Sequence, residues 1–138
     1  MPGTGNSSVV SGYRYISKPD HRDGTRSKSQ WEIPIADEYA AFALGIGSGW
    51  VSGSSAWSLH LREGEAAYLG RSAAQYGSQS SLFVAFFQMA DICHGYPSDP
   101  ARSSREVPPN NVRGDWLAKK YLRPAVIRKI GRGLTCAL

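Results

Sequence analysis

The chain has few cysteines and no long apolar run, and each of these scarcities excludes a class of protein. Cys93 and Cys136 are the only cysteines among 138 residues, and neither has a second Cys or His at the spacing of a zinc knuckle. A domain of this size needs no disulfide, so we expect two free thiols in a reducing cytosol. No apolar run approaches the ~20 residues that span a bilayer, and the N-terminal MPGTGNSSVVSG lacks the features of a secretory signal. We therefore expect a cytoplasmic protein without a membrane partner.

The sequence also lacks the motifs of common enzymes and cofactor sites. No Gly-x-Ser-x-Gly elbow is present, so the many serines do not indicate a hydrolase. The glycine-rich residues 45–49 (GIGSG) follow a helical pattern, whereas a dinucleotide-binding loop follows a strand. We expect no cofactor and no metal ion. Whether the protein is an enzyme stays open at this point, with a non-enzymatic role favoured.

The composition is typical of one folded domain. Apolar residues make up 41% of the chain and aromatic residues 11%, enough for an ordinary core in 138 residues. Residues 36–44 (ADEYAAFAL) predict a short helix, because Tyr39 and Phe42 share a face and Asp37 and Glu38 lie in the first turn. The glycines at positions 45, 47 and 49 should end this helix.

Three segments in the middle of the chain predict strands. Residues 56–62 alternate, with Trp57 and Leu59 on the apolar side, and residues 66–71 can pair back across a turn at 63–65. Residues 82–89 (LFVAFFQM) form a continuous apolar run, typical of a strand buried on both faces, with a buried helix as the alternative. Four prolines between residues 95 and 111 predict a long irregular connection.

Together these patterns predict an α+β fold with a small antiparallel sheet of three to four strands, a short helix and a C-terminal basic helical pair. The domain should span residues 31–138 and end in a basic helical hairpin at about 109–133. Residues 1–30 are rich in Gly, Ser and charge, and residues 17–30 show no periodicity. We therefore expect a flexible basic N-terminal arm, either a solvated tail or a segment that lies along a nucleic-acid backbone.

The C-terminal segment predicts two short helices with apolar residues at helical spacing. These residues are Val112, Trp116, Leu117 and Tyr121 in the first helix and Val126, Ile127 and Ile130 in the second. Pro124 suits the first position of the second helix, and Gly131 suits its end. The segment LAKKYLRPAVIRKIGRG resembles the core of repressor-type helix-turn-helix motifs, which implies a second helix that contacts DNA. It departs from those motifs in having no glycine in the turn.

Charge is segregated along the chain. Residues 101–138 have a net charge of +7, whereas residues 31–100 have a net charge of −5. Segregation of this kind indicates a polyanionic partner. We expect the protein to bind nucleic acid (DNA or RNA) or a nucleoprotein through the basic residues of the helical pair. These residues are Lys119, Lys120, Arg123, Arg128, Lys129 and Arg132.

Two other functions remain open. His94 follows the apolar run and precedes a Gly-Tyr-Pro turn, so it should lie at the end of a core element, a position that suits proton transfer. A small metal-independent ribonuclease of the toxin type would use His94, with His60 among the groups available as its partner. The alternative for His94 is a structural role, hydrogen-bonded to loop backbone. The third class of function is an inhibitor or adaptor that binds an acidic protein surface.

Overall fold

The computed structural model describes residues 7–138, which form two β-sheets and three α-helices. The strands of the larger sheet are β1 (Ser7–Val10), β2 (Tyr13–Ile16), β4 (Val51–Ser52), β5 (Ser55–Arg62), β6 (Glu65–Ala67), β9 (Val84–Gln88) and β10 (Ile92–Ser98). Their spatial order is β1-β2-β10-β9-β5-β4, with β6 paired to β5. The smaller sheet has the order β3-β7-β8 and consists of β3 (Gln30–Trp31), β7 (Gly70–Arg71) and β8 (Ser81–Leu82). The α-helices are α1 (Ile35–Gly47), α2 (Asn110–Ala118) and α3 (Pro124–Gly131).

The α+β class is confirmed, but the sheet differs from the prediction in size and direction. The main sheet has seven strands, where three to four were expected. It is also mixed, because β2 and β10 run parallel, with Arg14 opposite Ile92 and Tyr15 opposite Cys93. The strands of two or three residues are too short to establish alternation in the sequence. No helix among residues 7–138 is long and apolar enough to cross a membrane.

The main sheet lies between α1 on one face and the α2–α3 pair on the other. Strand β9 alternates between two apolar clusters: Val84 and Phe86 pack in the cluster of α2 and α3, and Ala85 and Phe87 pack in the cluster of α1. All four side chains are buried. The apolar run 82–89 is therefore a strand covered on both faces, and the helical alternative is wrong.

Helix α1 confirms the helix predicted at residues 36–44, but the glycines do not end it where expected. Gly45 and Gly47 lie inside the helix, which ends at Gly47. Gly45 is required by packing, because a Cβ atom at this position would lie 2.6 Å from the backbone oxygen of Trp57 on β5. A Cβ atom at Gly47 would meet nothing within 4 Å. Only the first of the two glycines therefore lets the helix lie close to the sheet.

The N-terminal segment differs most from its prediction. Strands β1 and β2 form a hairpin, and Ser11 and Gly12 between them have φ of 52° and 84°, as in the two-residue turns typical of hairpins. Tyr15 on β2 is fully buried against Phe42 and Phe87. Residues 7–16 are therefore part of the sheet, where the sequence predicted a flexible arm; residues 1–6 of that arm lie outside the described residues.

A buried carboxylate fixes the N-terminal segment to α1. Glu38 is fully buried and accepts hydrogen bonds from the hydroxyls of Tyr15 (2.6 Å) and Ser17 (2.8 Å). Arg22 donates to the same carboxylate at 2.8 Å and forms an ion pair with it. Because all of these donors converge on one buried group, the segment around residues 15–22 has a single well-defined position.

Strand β10 replaces the first part of the irregular connection predicted at residues 95–111. Gly95 lies opposite Phe87, whose ring occupies the space where a Cβ atom would be. Pro97 is tolerated in the strand because the second side of β10 pairs with β2 only at Ile92 and Cys93. The prolines therefore misled the prediction, since one of them lies on the unpaired side of a strand.

Candidate functional site

The two C-terminal helices form as predicted and pack their apolar faces on the sheet. The buried residues are Val112 and Trp116 on α2 and Val126, Ile127 and Ile130 on α3. One member of the predicted face is wrong, because Leu117 is 41% exposed. The burial of the inner face directs the polar positions of α3 outward.

The turn between the helices is made without glycine. Lys120 has φ of 59°, and its N–H donates to the backbone oxygen of Leu117, while the N–H of Tyr121 donates to that of Trp116. This pair of bonds is the Schellman arrangement, in which the residue after the helix adopts a left-handed conformation. The missing glycine is therefore no obstacle to the turn, because Lys120 takes the conformation that glycine usually supplies.

All six basic residues predicted as the site are exposed. Only Lys119 has an ion pair, to Asp115 at 3.0 Å, and its ammonium lies 5.8 Å from the centre of the Trp50 ring. The indole of Trp50 also donates to Asp115 at 2.7 Å, and these two donors hold the pKa of the Asp115 carboxyl below its usual value. The other five form no ion pair with the described part of the chain. They are Lys120, Arg123, Arg128, Lys129 and Arg132.

A cavity of about 420 Å³ opens on the same side of the sheet, beyond the helical pair. His94 lines it from β10 and His21 lines it from the short 3-10 helix Pro19–His21. Tyr96 lies between the two segments, on β10, with its ring stacked on His21 at 5.0 Å between centroids. The structure therefore brings together two histidines that are far apart in the sequence.

The ring of His21 is held in one orientation and one tautomer. Its Nδ1 lies 2.8 Å from the backbone oxygen of Ser29. Because a carbonyl oxygen only accepts, Nδ1 carries the proton and Nε2 is left as the acceptor of the ring. Burial lowers the pKa of His21, and the hydrogen bond to Ser29 and the charge of Asp20 oppose this shift only in part. His21 is therefore a fixed, neutral base near pH 7.

His94 lies within β10, opposite Gln88, and not at the end of a core element as the sequence predicted. It is partly buried, and its ring nitrogens form no side-chain hydrogen bond within residues 7–138. Burial lowers its pKa, and Lys18 and His21 lower it further. The structural role predicted as the alternative, a ring satisfied by loop backbone, is not what the described residues show.

His60 does not join His94. Alternation along β5 puts His60 on the side of Ala56, which packs in the cluster of α1, whereas His94 and Tyr96 face the α2–α3 side. The partner of His94 is His21 instead. No sequence signal identified His21, because it lies in the aperiodic segment 17–30, and only the fold brings this segment over the sheet.

The charged groups around the cavity are unequally satisfied. Asp99 pairs with Arg102 at 3.5 Å, and the carboxylate of Glu106 accepts hydrogen bonds from the hydroxyls of Tyr96 and Ser98. Two lysines of the lining, Lys18 and Lys28, form no ion pair with any described residue. Asp20 has one buried carboxylate oxygen without a hydrogen-bond partner in the described part of the chain. A ligand with both anionic oxygens and a donor would satisfy these groups.

The cavity and the helical pair are connected by one residue. Arg102 lines the cavity and also an adjoining open groove, which Arg132 of the helical pair lines at its other side. The guanidinium of Arg102 lies 4.0 Å from the centre of the Tyr76 ring, which is 53% exposed. Cations therefore run from the outer face of α3 to the two histidines.

Neither a metal cluster nor a known relative adds to this geometry. Among residues 7–138, no three His, Cys, Asp or Glu side chains converge closely enough to hold a metal ion. Both cysteines are free, with Cys93 buried. Comparison with protein-family models, with curated proteins and with solved structures found no match to this chain.

Proposed function

We propose that the protein binds the phosphate backbone of a nucleic acid through the exposed cations of α3 and of the turn before it. The observation that supports this proposal is that five adjacent cations are exposed and have no ion pair within the described residues. Positive charge concentrated on one surface attracts a polyanion, and each phosphate that it neutralises releases counterions. A solvated protein surface usually intersperses both signs.

The outer face of α3 favours phosphate contacts over the recognition of bases. Its exposed side chains are Arg128, Lys129 and Ala125, followed by Arg132 just after the helix. Apart from the arginines, this face has none of the amide or hydroxyl side chains that read base edges. The helix has only eight residues, so its reach along a groove is short. The proposed binding is therefore weakly dependent on sequence.

The groove between Arg132 and Arg102 gives the bound strand a direction. A backbone held at α3 can pass through this groove to the cavity, because Arg102 lines both. The exposed ring of Tyr76, stacked under Arg102, offers a surface on which an unpaired base can lie. This arrangement favours a single strand over a rigid duplex.

The test compares two double variants with the same change in net charge. Arg128→Glu with Lys129→Glu should weaken the binding of a fluorescent single-stranded RNA or DNA and make the slope of log K against log salt smaller in magnitude by about 2. Arg14→Glu with Arg26→Glu, both exposed and outside the helical pair, should retain the slope. Equal loss in both variants would show a non-local charge effect and contradict the proposal. Binding to an acidic protein with no affinity for nucleic acid would favour the adaptor function instead.

A further inference from the structure

The cavity contains the chemistry that phosphate binding alone does not use. His21 and His94 approach it from separate segments, and Lys18 and Lys28 line the same cavity. We infer that this cavity cleaves the RNA backbone by general acid–base catalysis, with His21 as the base and His94 as the acid. The inference rests on the proposed function, since α3 and the Arg102 groove would hold the strand that enters the cavity.

His21 is suited to the role of the base by its geometry. The backbone oxygen of Ser29 holds the proton on Nδ1, and the stacked ring of Tyr96 holds the imidazole in place at an interplanar angle of 12°. A base whose second nitrogen is oriented by a hydrogen-bonded group is the arrangement that catalytic histidines share. A histidine that served only to fill the core would not need to line a cavity beside two lysines.

His94 is suited to the role of the acid because it is the more accessible of the two rings. It is partly exposed, whereas His21 is 7% exposed. Its ring nitrogens are not used by side-chain hydrogen bonds within the described residues, so a substrate oxygen can accept its proton. Tyr96, two residues along β10, lines the same wall and donates its hydroxyl to Glu106 at 3.0 Å. The wall between the two histidines is thus rigid.

The proposed step is a transesterification that needs no other reactant. Nε2 of His21 takes the proton of the ribose 2′-hydroxyl, and the 2′-oxygen forms a bond to the adjacent phosphorus. The bond from phosphorus to the 5′-oxygen breaks, and protonated His94 gives its proton to that leaving oxygen. The products are a 2′,3′-cyclic phosphate and a free 5′-hydroxyl, and the two histidines end with their protons exchanged. Lys18 and Lys28 would stabilise the charge that develops on the non-bridging oxygens.

The rate should be greatest in mildly acidic solution. The groups that face the two rings are Lys18, Asp20, Lys28, Tyr96, Gln88 and the other histidine. Burial outweighs the opposing charge of Asp20 and lowers the pKa of both His21 and His94 from 6.5. The base must be neutral and the acid protonated, so the fall in rate on the alkaline side should occur below pH 6.5.

The experiment uses the full chain, a 5′-labelled RNA oligonucleotide and excess EDTA, with one matched variant for each histidine. His21→Asn retains a donor near the Ser29 oxygen but lacks Nε2, His94→Gln retains a polar side chain that cannot transfer the proton, and His60→Gln lies on the opposite face. Wild type and His60→Gln should produce ends with 2′,3′-cyclic phosphate. His21→Asn and His94→Gln should each be slower by on the order of 10²–10⁴-fold, with RNA affinity within about twofold of wild type and an unchanged circular dichroism spectrum.

Each other outcome contradicts one of the two proposals. Wild-type protein that binds RNA but leaves it intact, or cleavage that persists in both histidine variants, overturns the inference while the proposed function stands. Cleavage of an all-deoxy oligonucleotide at the same rate overturns the step, because DNA has no 2′-hydroxyl. Absence of binding to any RNA or DNA at low salt overturns the proposed function itself. If His21→Asn fails to fold, the His94→Gln rate and the position of the alkaline limb decide the question.

Discussion

Glu38 is a carboxylate without exposure to water, and its neighbours determine whether the fold tolerates it. Arg22, which is 21% exposed, neutralises its charge, while Tyr15 and Ser17 donate hydroxyls. We predict that Arg22→Met lowers the free energy of unfolding by about 2–4 kcal/mol, because it leaves a buried charge without its cation. Denaturant unfolding measures this loss.

The matched control for Arg22→Met is a second substitution at the other partner. Glu38→Gln in the Arg22→Met background removes the charge but retains an acceptor oxygen for the two hydroxyls. It should recover part of the lost stability. If the double variant is less stable than Arg22→Met, the charge of Glu38 is not the origin of the loss.

His21 makes stability depend on pH. Its pKa is lowered in the folded protein by burial, and Asp20, Lys18, Lys28 and the Ser29 oxygen are the other groups that act on it. Below about pH 6.5 the unfolded chain binds a proton that the folded ring resists, so the free energy of unfolding falls as the pH is lowered. The fall in Tm between pH 7.5 and 5.5 should be smaller in His21→Asn than in wild type. Equal falls would show that other groups dominate.

At the scale of the elements, two glycines of α1 give opposite predictions. Gly45→Ala puts a Cβ atom 2.6 Å from the Trp57 oxygen and should destabilise the protein by about 1–3 kcal/mol. Gly47→Ala meets nothing within 4 Å and should stabilise it by up to about 1 kcal/mol through helix propensity. Thermal unfolding of the two variants checks both signs. A stabilised Gly45→Ala would mean that α1 can move away from β5.

The turn between α2 and α3 offers a test that separates conformation from charge. Lys120→Gly and Lys120→Ala remove the same charge, but only glycine accepts φ of 59° without strain. We predict that Lys120→Gly is more stable than Lys120→Ala by about 1 kcal/mol, measured by chemical denaturation. Similar stabilities would indicate that the turn relaxes to another conformation.

The elements that could be predicted from the sequence are those with a long, regular pattern. The helix at residues 36–44, the strand at 82–89 and the inner face of α3 followed from periodicity. The hairpin of β1 and β2 was missed because only Val9–Val10 and Tyr13–Ile16 flank its Ser-Gly turn. Its place in the sheet depends on parallel pairing with β10, which no local pattern encodes.

The candidate site was predictable only in part, for a similar reason. Exposure of the six basic residues followed from amphipathicity, since their helices bury the opposite side. The cavity could not be predicted, because it requires Pro19–His21 to lie over β10. His94 was identified by its residue type, and its partner was sought in the wrong strand, since His60 faces the α1 side.

At the scale of the whole molecule, the N-terminal hairpin belongs to the core. Deletion of residues 1–16 removes β1, β2 and the fully buried Tyr15. Loss of one buried aromatic side chain costs about 3–5 kcal/mol, and the open edge of β10 adds to this. Since domains of this kind are stable by about 5–15 kcal/mol, the truncated chain should be largely unfolded by circular dichroism. A cooperative transition with Tm within ~5 °C of the full chain would show that the hairpin is dispensable.

The parallel pairing of Arg14 with Ile92 and Tyr15 with Cys93 also orders events during synthesis. The hairpin leaves the ribosome first, but the strand beside it appears only after β3 to β9 have been made. At about 5–20 residues per second this delay lasts several seconds, and an isolated hairpin is marginal in water. Until β10 emerges, Tyr15 has no strand to cover it on that side. A chain that stalls before Ile92 therefore exposes an aromatic hairpin, which makes it a target for chaperones and proteases.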